Sequence, residues 1–276
     1  MRTLSWLYQP ITGTPFQSDE TYREVAPCEA LKPYIRCFWG SDRPLPARPG
    51  EAGLVIPDTC MDVMFTVDYA RNRIFSAFCA LDEQSYRTPA SNETGGCTAT
   101  FAIRFYAWTA SLFAEDKLNC SANSTFPVDA FFRRIERMLS PILFEETTLT
   151  GKVLAAEQAL LTILRPQKAD AAVLNAIHHI LRTEGRVRIG EVAAALALSN
   201  RQLERRFDNA MGLSPKALAS LMRYQLLWQD MALNPRFDAL DAVARFGYAD
   251  QAHLLNDFRK RHLMSPREAV EFAHKR

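Results

Sequence analysis

The sequence predicts a two-domain α+β protein. An N-terminal domain of short strands, a small barrel or sandwich with trailing helices, is followed by an all-α domain of two helix-turn-helix subdomains joined by a long helix. Three observations carry this. Strand-like alternation is confined to the region before about residue 125, and helical periodicity takes over near Val128. The C-terminal third repeats itself without a gap at a shift of 51 positions. Charge divides along the same line: residues 1–165 hold 16 Lys/Arg and 19 Asp/Glu, and residues 166–276 hold 17 and 12.

The chain has 276 residues, 48% of them hydrophobic and 23% charged, enough to bury two ordinary cores. A net −3 half joined to a net +5 half suggests that only the second meets a polyanion. No apolar run approaches the roughly 20 residues of a membrane helix. Met1 to Gly13 has no basic start followed by an apolar stretch, so a cytoplasmic protein without a secretion signal is expected. All six cysteines (Cys28, Cys37, Cys60, Cys79, Cys97, Cys120) precede residue 121 without a C-x-x-C pair and read as reduced thiols. All five histidines lie in the second half, so the first cannot build a His-based metal site or supply a His base. No catalytic residue, metal or cofactor is expected.

In chain order, eight of the fifteen prolines fall before Met61, which argues against a long helical start. Leu54-Val55-Ile56 is apolar, Pro57-Asp58-Thr59 has turn chemistry, and Met61 to Val67 is apolar again. Ile74 to Leu81 is a further strand. Thr98 to Phe105 alternates, with Phe101, Ile103 and Phe105 on one face and Arg104 on the other. Phe131, Phe132, Ile135, Met138 and Leu139 then recur at helical spacing, as do Val153, Leu154, Leu160, Leu161 and Leu164. The domains read as 1–165 (strands to about 125, helices about 128–165) and 170–276, with Arg165 to Asp170 as the linker. Helices follow at about 171–183, 189–196, 200–210, 215–233, 238–245, 251–262 and 266–273.

At the 51-residue shift Val192 falls on Val243, Leu203 on Leu254, Phe207 on Phe258, and Ser214-Pro215-Lys216 on Ser265-Pro266-Arg267. Each copy, about 186–212 and 237–263, reads as a helix-turn-helix. Ser199 with Gln202 forms a capping box for the second helix of copy one, and Asp250 caps that of copy two. Leu203/Phe207 and Leu254/Phe258 face inward. The faces left outside carry Asn200, Arg201, Glu204 and Arg205 in one copy and Gln251, Ala252, His253, Asn256 and Arg259 in the other. The helix between them would be roughly 28 Å long at 1.5 Å per residue. Successive major-groove faces lie about 34 Å apart, so one rigid helix can present both copies to double-stranded DNA.

From Ala172 to Ala273 the sequence resembles the AraC/XylS family of bacterial transcription regulators. The signature is Gly247-Tyr248-Ala249-Asp250-Gln251-Ala252-His253-Leu254, then Asn256-Asp257-Phe258-Arg259 and Ser265-Pro266. The resemblance implies two helix-turn-helix subdomains on adjacent major grooves, no catalysis, an N-terminal domain for effector and homodimer contacts, and RNA polymerase as a further partner. Leu263 departs from it, standing where a glycine is usual; copy one keeps Gly212. Leu198 stands where an aromatic or a glycine-containing turn is common. Leu54 to Phe65 is similar to a subgroup pattern Leu-Pro-Asp-Gly-Cys-x-Asp-Leu-x-Phe, with Thr59 in place of glycine. Phe101 to Phe105 is similar to that subgroup's Gly-x-Arg-Phe strand, followed here by Tyr106-Ala107-Trp108 in place of Pro-Gly. This implies a cupin-like barrel and names no ligand.

Trp39, Phe65, Tyr106 and Trp108 offer aromatic walls for a small, moderately apolar organic effector, with Arg104 and Asp62 to fix a polar group. Asp58 reads as a turn residue, and Arg104 as solvated or paired with an acid such as Asp62. A different control, by a protein partner or by cysteine oxidation, is the alternative. Cys60 between Asp58 and Asp62 is a poor thiolate, and the scattered cysteines lack the close pairs of a zinc-bound alkyl-transfer module.

Overall fold

The computed structural model describes residues 2–46, 53–88, 96–118 and 120–274. A short helix, α1 (Arg2–Leu7), precedes β1 (Arg23–Val25), β2 (Ile35–Gly40), β3 (Leu45–Pro46), β4 (Leu54–Val55), β5 (Cys60–Asp68), β6 (Arg73–Cys79), β7 (Tyr86–Arg87), β8 (Cys97–Tyr106) and β9 (Thr125–Phe126). The described ladders are antiparallel. The main sheet runs β1-β2-β8-β5-β6-β9 with β3 added to β8, and β4 pairs with β7 as a separate ribbon.

β5 and β8 pair from Cys60–Tyr106 to Asp68–Thr98, and the two-residue period sorts their side chains. Met61, Val63 and Phe65 lie opposite Phe105, Ile103 and Phe101 on one face, all of them buried. That face is covered by α2 (Asp129–Glu145) and α3 (Leu149–Ile163). Phe132 stacks on Phe105 with ring centres 6.1 Å apart and meets Phe78 edge-on at 4.8 Å. Val153 and Leu160 of α3 are buried, whereas Leu154 and Leu161, on the outward face of the same helix, are 57% and 46% exposed. The other sheet face carries Asp62 opposite Arg104 and Met64 opposite Ala102. β2 escapes the alternation test because its register with β8 shifts between Ile35 and Cys37, and a bulge breaks the period that identifies a strand.

Seven helices follow among the described residues: α4 (Ala171–Arg182), α5 (Ile189–Ala195), α6 (Asn200–Met211), α7 (Pro215–Leu233), α8 (Ala239–Phe246), α9 (Gln251–His262) and α10 (Pro266–Ala273). The 51-residue shift lays α6 on α9 residue for residue. It lays α4 on Met222–Leu233, the second part of α7. α7 therefore closes the first unit and opens the second, so the two units share one rigid rod. The caps explain the sharp boundaries. Ser199 and Gln202 bond reciprocally ahead of α6, Asp238 and Asp250 receive backbone N–H groups ahead of α8 and α9, and Ser214 and Ser265 precede helix-starting prolines. Trp228 of α7 packs with Phe258 and His262, and burial pushes the His262 imidazole down to about 4. No described helix is long and apolar enough to cross a membrane.

Two positions where the resembled pattern has glycine take left-handed backbone: Thr59 at φ 62° and Leu263 at φ 58°. Gly212 ends α6 as Leu263 ends α9. An L-residue in this region costs about 1–2 kcal/mol, and the extra chain entropy of glycine costs about 0.5–1 kcal/mol. Leu263 is largely exposed and loses little packing. Leu263→Gly is therefore expected to stabilise the protein by about 0.5–1 kcal/mol, read as a higher thermal midpoint. A lower midpoint would mean that the Leu263 side chain holds the α9–α10 corner.

Candidate nucleic-acid interface and ligand cavity

The outward faces of α6 and α9 follow from which residues their cores take. Leu203, Phe207 and Met211 of α6 are buried, as are Leu254, Phe258 and His262 of α9. What remains outside includes Asn200, Arg201, Glu204 and Arg205 on α6 and Gln251, Ala252, Asn256 and Arg259 on α9, all exposed. Among the described residues Arg201, Arg205 and Arg259 form no ion pair, and Glu204 pairs with neither neighbouring arginine. Their neighbours are committed elsewhere: Arg206 binds Asp170 of the linker at 2.6 Å, and Arg261 of α9 bonds the Ser220 hydroxyl at 2.7 Å. His253 serves the turn. Its Nδ1 accepts the Ala249 N–H at 3.4 Å, and its ring stands edge-on to Tyr248 at 5.3 Å. Two helices with free guanidinium and amide groups at their exposed N-terminal ends can hydrogen-bond base edges and phosphates.

The second feature is a cavity of about 510 Å³ on the polar face of the sheet, beneath the β4–β7 ribbon. Trp39, Asp62 and Arg104 line it, and Phe65, Tyr106 and Trp108 do not. Phe65 is three positions from Asp62 on β5, so the pleat turns it into the opposite, helix-covered face. Tyr106 and Trp108 are buried at the end of β8, stacked at 5.1 Å and packed toward Tyr8. Trp108 instead borders a separate cleft with Lys168 and Arg206.

Arg104 is neither solvated nor free. Its Nε donates to Asp62 at 3.0 Å and its Nη2 at 3.1 Å, and its Nη1 lies 3.4 Å from Asp58. Burial works against the guanidinium charge, but Asp62 and then Asp58 hold it more firmly protonated than usual. Asp62 also accepts the Trp39 Nε1–H at 2.9 Å. Asp58 is the expected turn residue, accepting the Cys60 N–H at 2.9 Å. Burial, then Asp58, pushes the Cys60 thiol well up, and burial pushes Cys79 up to about 11. The remaining walls include Tyr22, Leu54, Val55, Ile56, Asp82 and Tyr86, a loop at Thr12 to Thr14, and Phe272 of α10. None of these has a local sequence signal for a pocket; they converge only through the fold.

That loop joins the two halves of the molecule. Gln225 of α7, fully buried, accepts the Ile11 N–H at 3.0 Å and donates to the carbonyls of Ile11 at 3.1 Å and Pro57 at 2.7 Å. Trp228 Nε1 donates to the Thr12 carbonyl at 2.9 Å. Ile56 belongs to the core of the second helix-turn-helix unit as well as to the cavity wall.

Residues 192–271 match the family model of a helix-turn-helix domain, and residues 23–127 match that of a domain of unknown function, DUF6597. No curated protein matches the chain. Among solved structures the chain is similar to a transcriptional regulator with an AraC-type DNA-binding domain from Chromobacterium violaceum, with 18% identity over 38% of this chain and 93% of that one and a TM-score of 0.35. It is similar to the xylose-binding transcription activator XylR, with 16% identity over 45% and 40% and a TM-score of 0.35. It is also similar to ToxT from Vibrio cholerae O395, with 11% identity over 87% and 99% and a TM-score of 0.42.

Proposed function

We infer that this chain is a DNA-binding transcription regulator of the AraC type and not an enzyme, that it reads two successive major grooves through α6 and α9, and that it answers a small organic effector held in the cavity over Arg104. The observation that carries the DNA reading is the gapless repeat resolved into two side-chain-capped helices on one shared rod, with unpaired basic and amide side chains outward. Selection of bound duplexes from a random pool tests it. The expected product has two conserved elements about one helical turn, 10–10.5 base pairs, apart. Recovery of no preferred sequence would overturn it.

The effector reading is supported by the cavity volume and by its walls, which include the loop bonded to α7 and a residue of α10. A solidly packed domain would have favoured a protein partner, and raised thiols speak against control by oxidation. The protein acts where DNA is, in the cytoplasm, with RNA polymerase as a partner. The exposed Leu154 and Leu161 on α3 fit a homodimer contact. Sedimentation of the full chain at roughly 10 μM is expected to give a dimer, a species set by micromolar affinity, and Leu154→Glu with Leu161→Glu a monomer. A monomer for the unaltered protein, or a dimer unaffected by both changes, counts against this contact.

A further inference from the structure

We propose that the cavity takes an organic cation: an amphipathic ammonium compound whose charged head pairs with Asp82 and whose apolar body lies against Trp39 and Tyr86. This rests on the effector reading above and gives it a chemical class. The charged side chains lining the cavity are Asp58, Asp62, Asp82, Arg87 and Arg104. A guanidinium in a ligand pocket usually suggests an anionic ligand, but here it is already occupied. Arg104 makes a two-pronged bond to Asp62, approaches Asp58 at 3.4 Å and Glu24 at 4.0 Å, and lies over the Trp39 ring at 5.6 Å. An incoming carboxylate would have to break a desolvated ion pair and then face three acids. Arg87 is exposed on the covering ribbon, in water.

The carboxylates differ in what they have left to give. Asp62 is taken by Arg104 and Trp39, and Asp58 by the Cys60 N–H and Arg104. Asp82 has no hydrogen bond or ion pair among the described residues. It follows β6 and borders the same cavity as Tyr86 and Trp39; the Trp39 ring already has Arg104 over it and Tyr22 beside it at 5.5 Å, which leaves Tyr86 as the aromatic ring open to a cation. Leu54, Val55 and Met64 supply apolar wall. Burial first, then Asp58 and Asp62, pushes the Asp82 carboxyl up to about 7. The site is thus short of one positive charge, which an ammonium group supplies. The other titratable groups around Asp82 are Asp58, Asp62, Cys79 and Tyr86, with Arg104 and Arg87 as the cations. Since a cation binds the ionised acid, affinity is gained as pH rises through the Asp82 value and lost below it.

The test uses the full chain and three shape-matched trios, phenylethyl, indolylethyl and naphthylethyl, each as the ammonium, the alcohol and the carboxylate, read by calorimetry and thermal shift. Ammonium members are expected to bind at least about tenfold tighter than their alcohols and to gain about tenfold between pH 6 and pH 8. Asp82→Asn should bring them down to the alcohol level and flatten the pH response while leaving alcohol affinity unchanged. Equal or tighter binding of alcohols or carboxylates to the unaltered protein overturns the cation class and leaves the effector cavity standing. Binding of none of the nine compounds overturns both. The comparison of head groups on the unaltered protein stands whether or not the Asp82 variant folds.

Discussion

Replacing both Arg201 and Arg205 with alanine is expected to weaken binding to the selected DNA site by about 2–6 kcal/mol, about 1–3 for each arginine. Both project from the exposed face of α6, one turn apart, and neither is spent on an ion pair within the described chain. Neither belongs to the Leu203/Phe207 core or to the Ser199–Gln202 cap, so folding should be untouched. Anisotropy titrations at fixed salt against the selected site and against each single-base variant separate two roles. Lost discrimination at one or two base pairs marks base readout, and a uniform loss with a shallower salt slope marks phosphate contact. Unchanged affinity for the double variant would remove α6 from the interface. The contrast is Arg206, which binds Asp170 and should affect stability more than recognition.

The second large effect is on folding. Asp62→Ala is expected to destabilise the protein by about 3 kcal/mol, the lower end for breaking a buried ion pair, because Asp58 remains near Arg104. It also leaves the Trp39 indole N–H without its acceptor. Urea unfolding measures the loss. The Asp62→Ala/Arg104→Ala double variant should lose clearly less than the sum of the two singles, since the pair acts as one unit. An additive result, or a loss below about 0.5 kcal/mol for Asp62→Ala, would mean that water already screens the pair.

The helical half was legible because its signals are local. Serine and aspartate caps, helix-starting prolines and the 51-residue repeat lie within a few residues of the boundaries they set. One detail needed the helix bounds as well: the same shift lays α4 on Met222–Leu233, so α7 serves both units. In the strand-rich half β5, β6 and β8 were legible from their apolar patterns and β4 from the apolar Leu54-Val55-Ile56, whereas β2 was hidden by its bulge, and β3, β7 and β9 are two-residue strands shorter than any periodicity can show. The cavity was half legible. The parity of β8 turned Arg104 away from Phe101, Ile103 and Phe105, and the same parity applied to β5 separates Phe65 from Asp62. Asp82, Tyr86, Thr12 and Phe272 come from segments far apart in the chain, and only tertiary packing brings them to Arg104. The charge balance of the cavity, and with it the nature of the ligand, follows from Asp58 and Asp62 having already satisfied that arginine.

Two equivalent helices on one rod are proposed to read DNA together. Hydroxyl-radical footprinting of the full chain on its selected site, beside Gln251→Ala/Asn256→Ala, tests it most directly. Two protected windows are expected on one face of the duplex, about 10 base pairs apart, with the window assigned to α9 weakened in the variant and the α6 window kept. A single window, or two windows that the α9 changes leave alike, would contradict it.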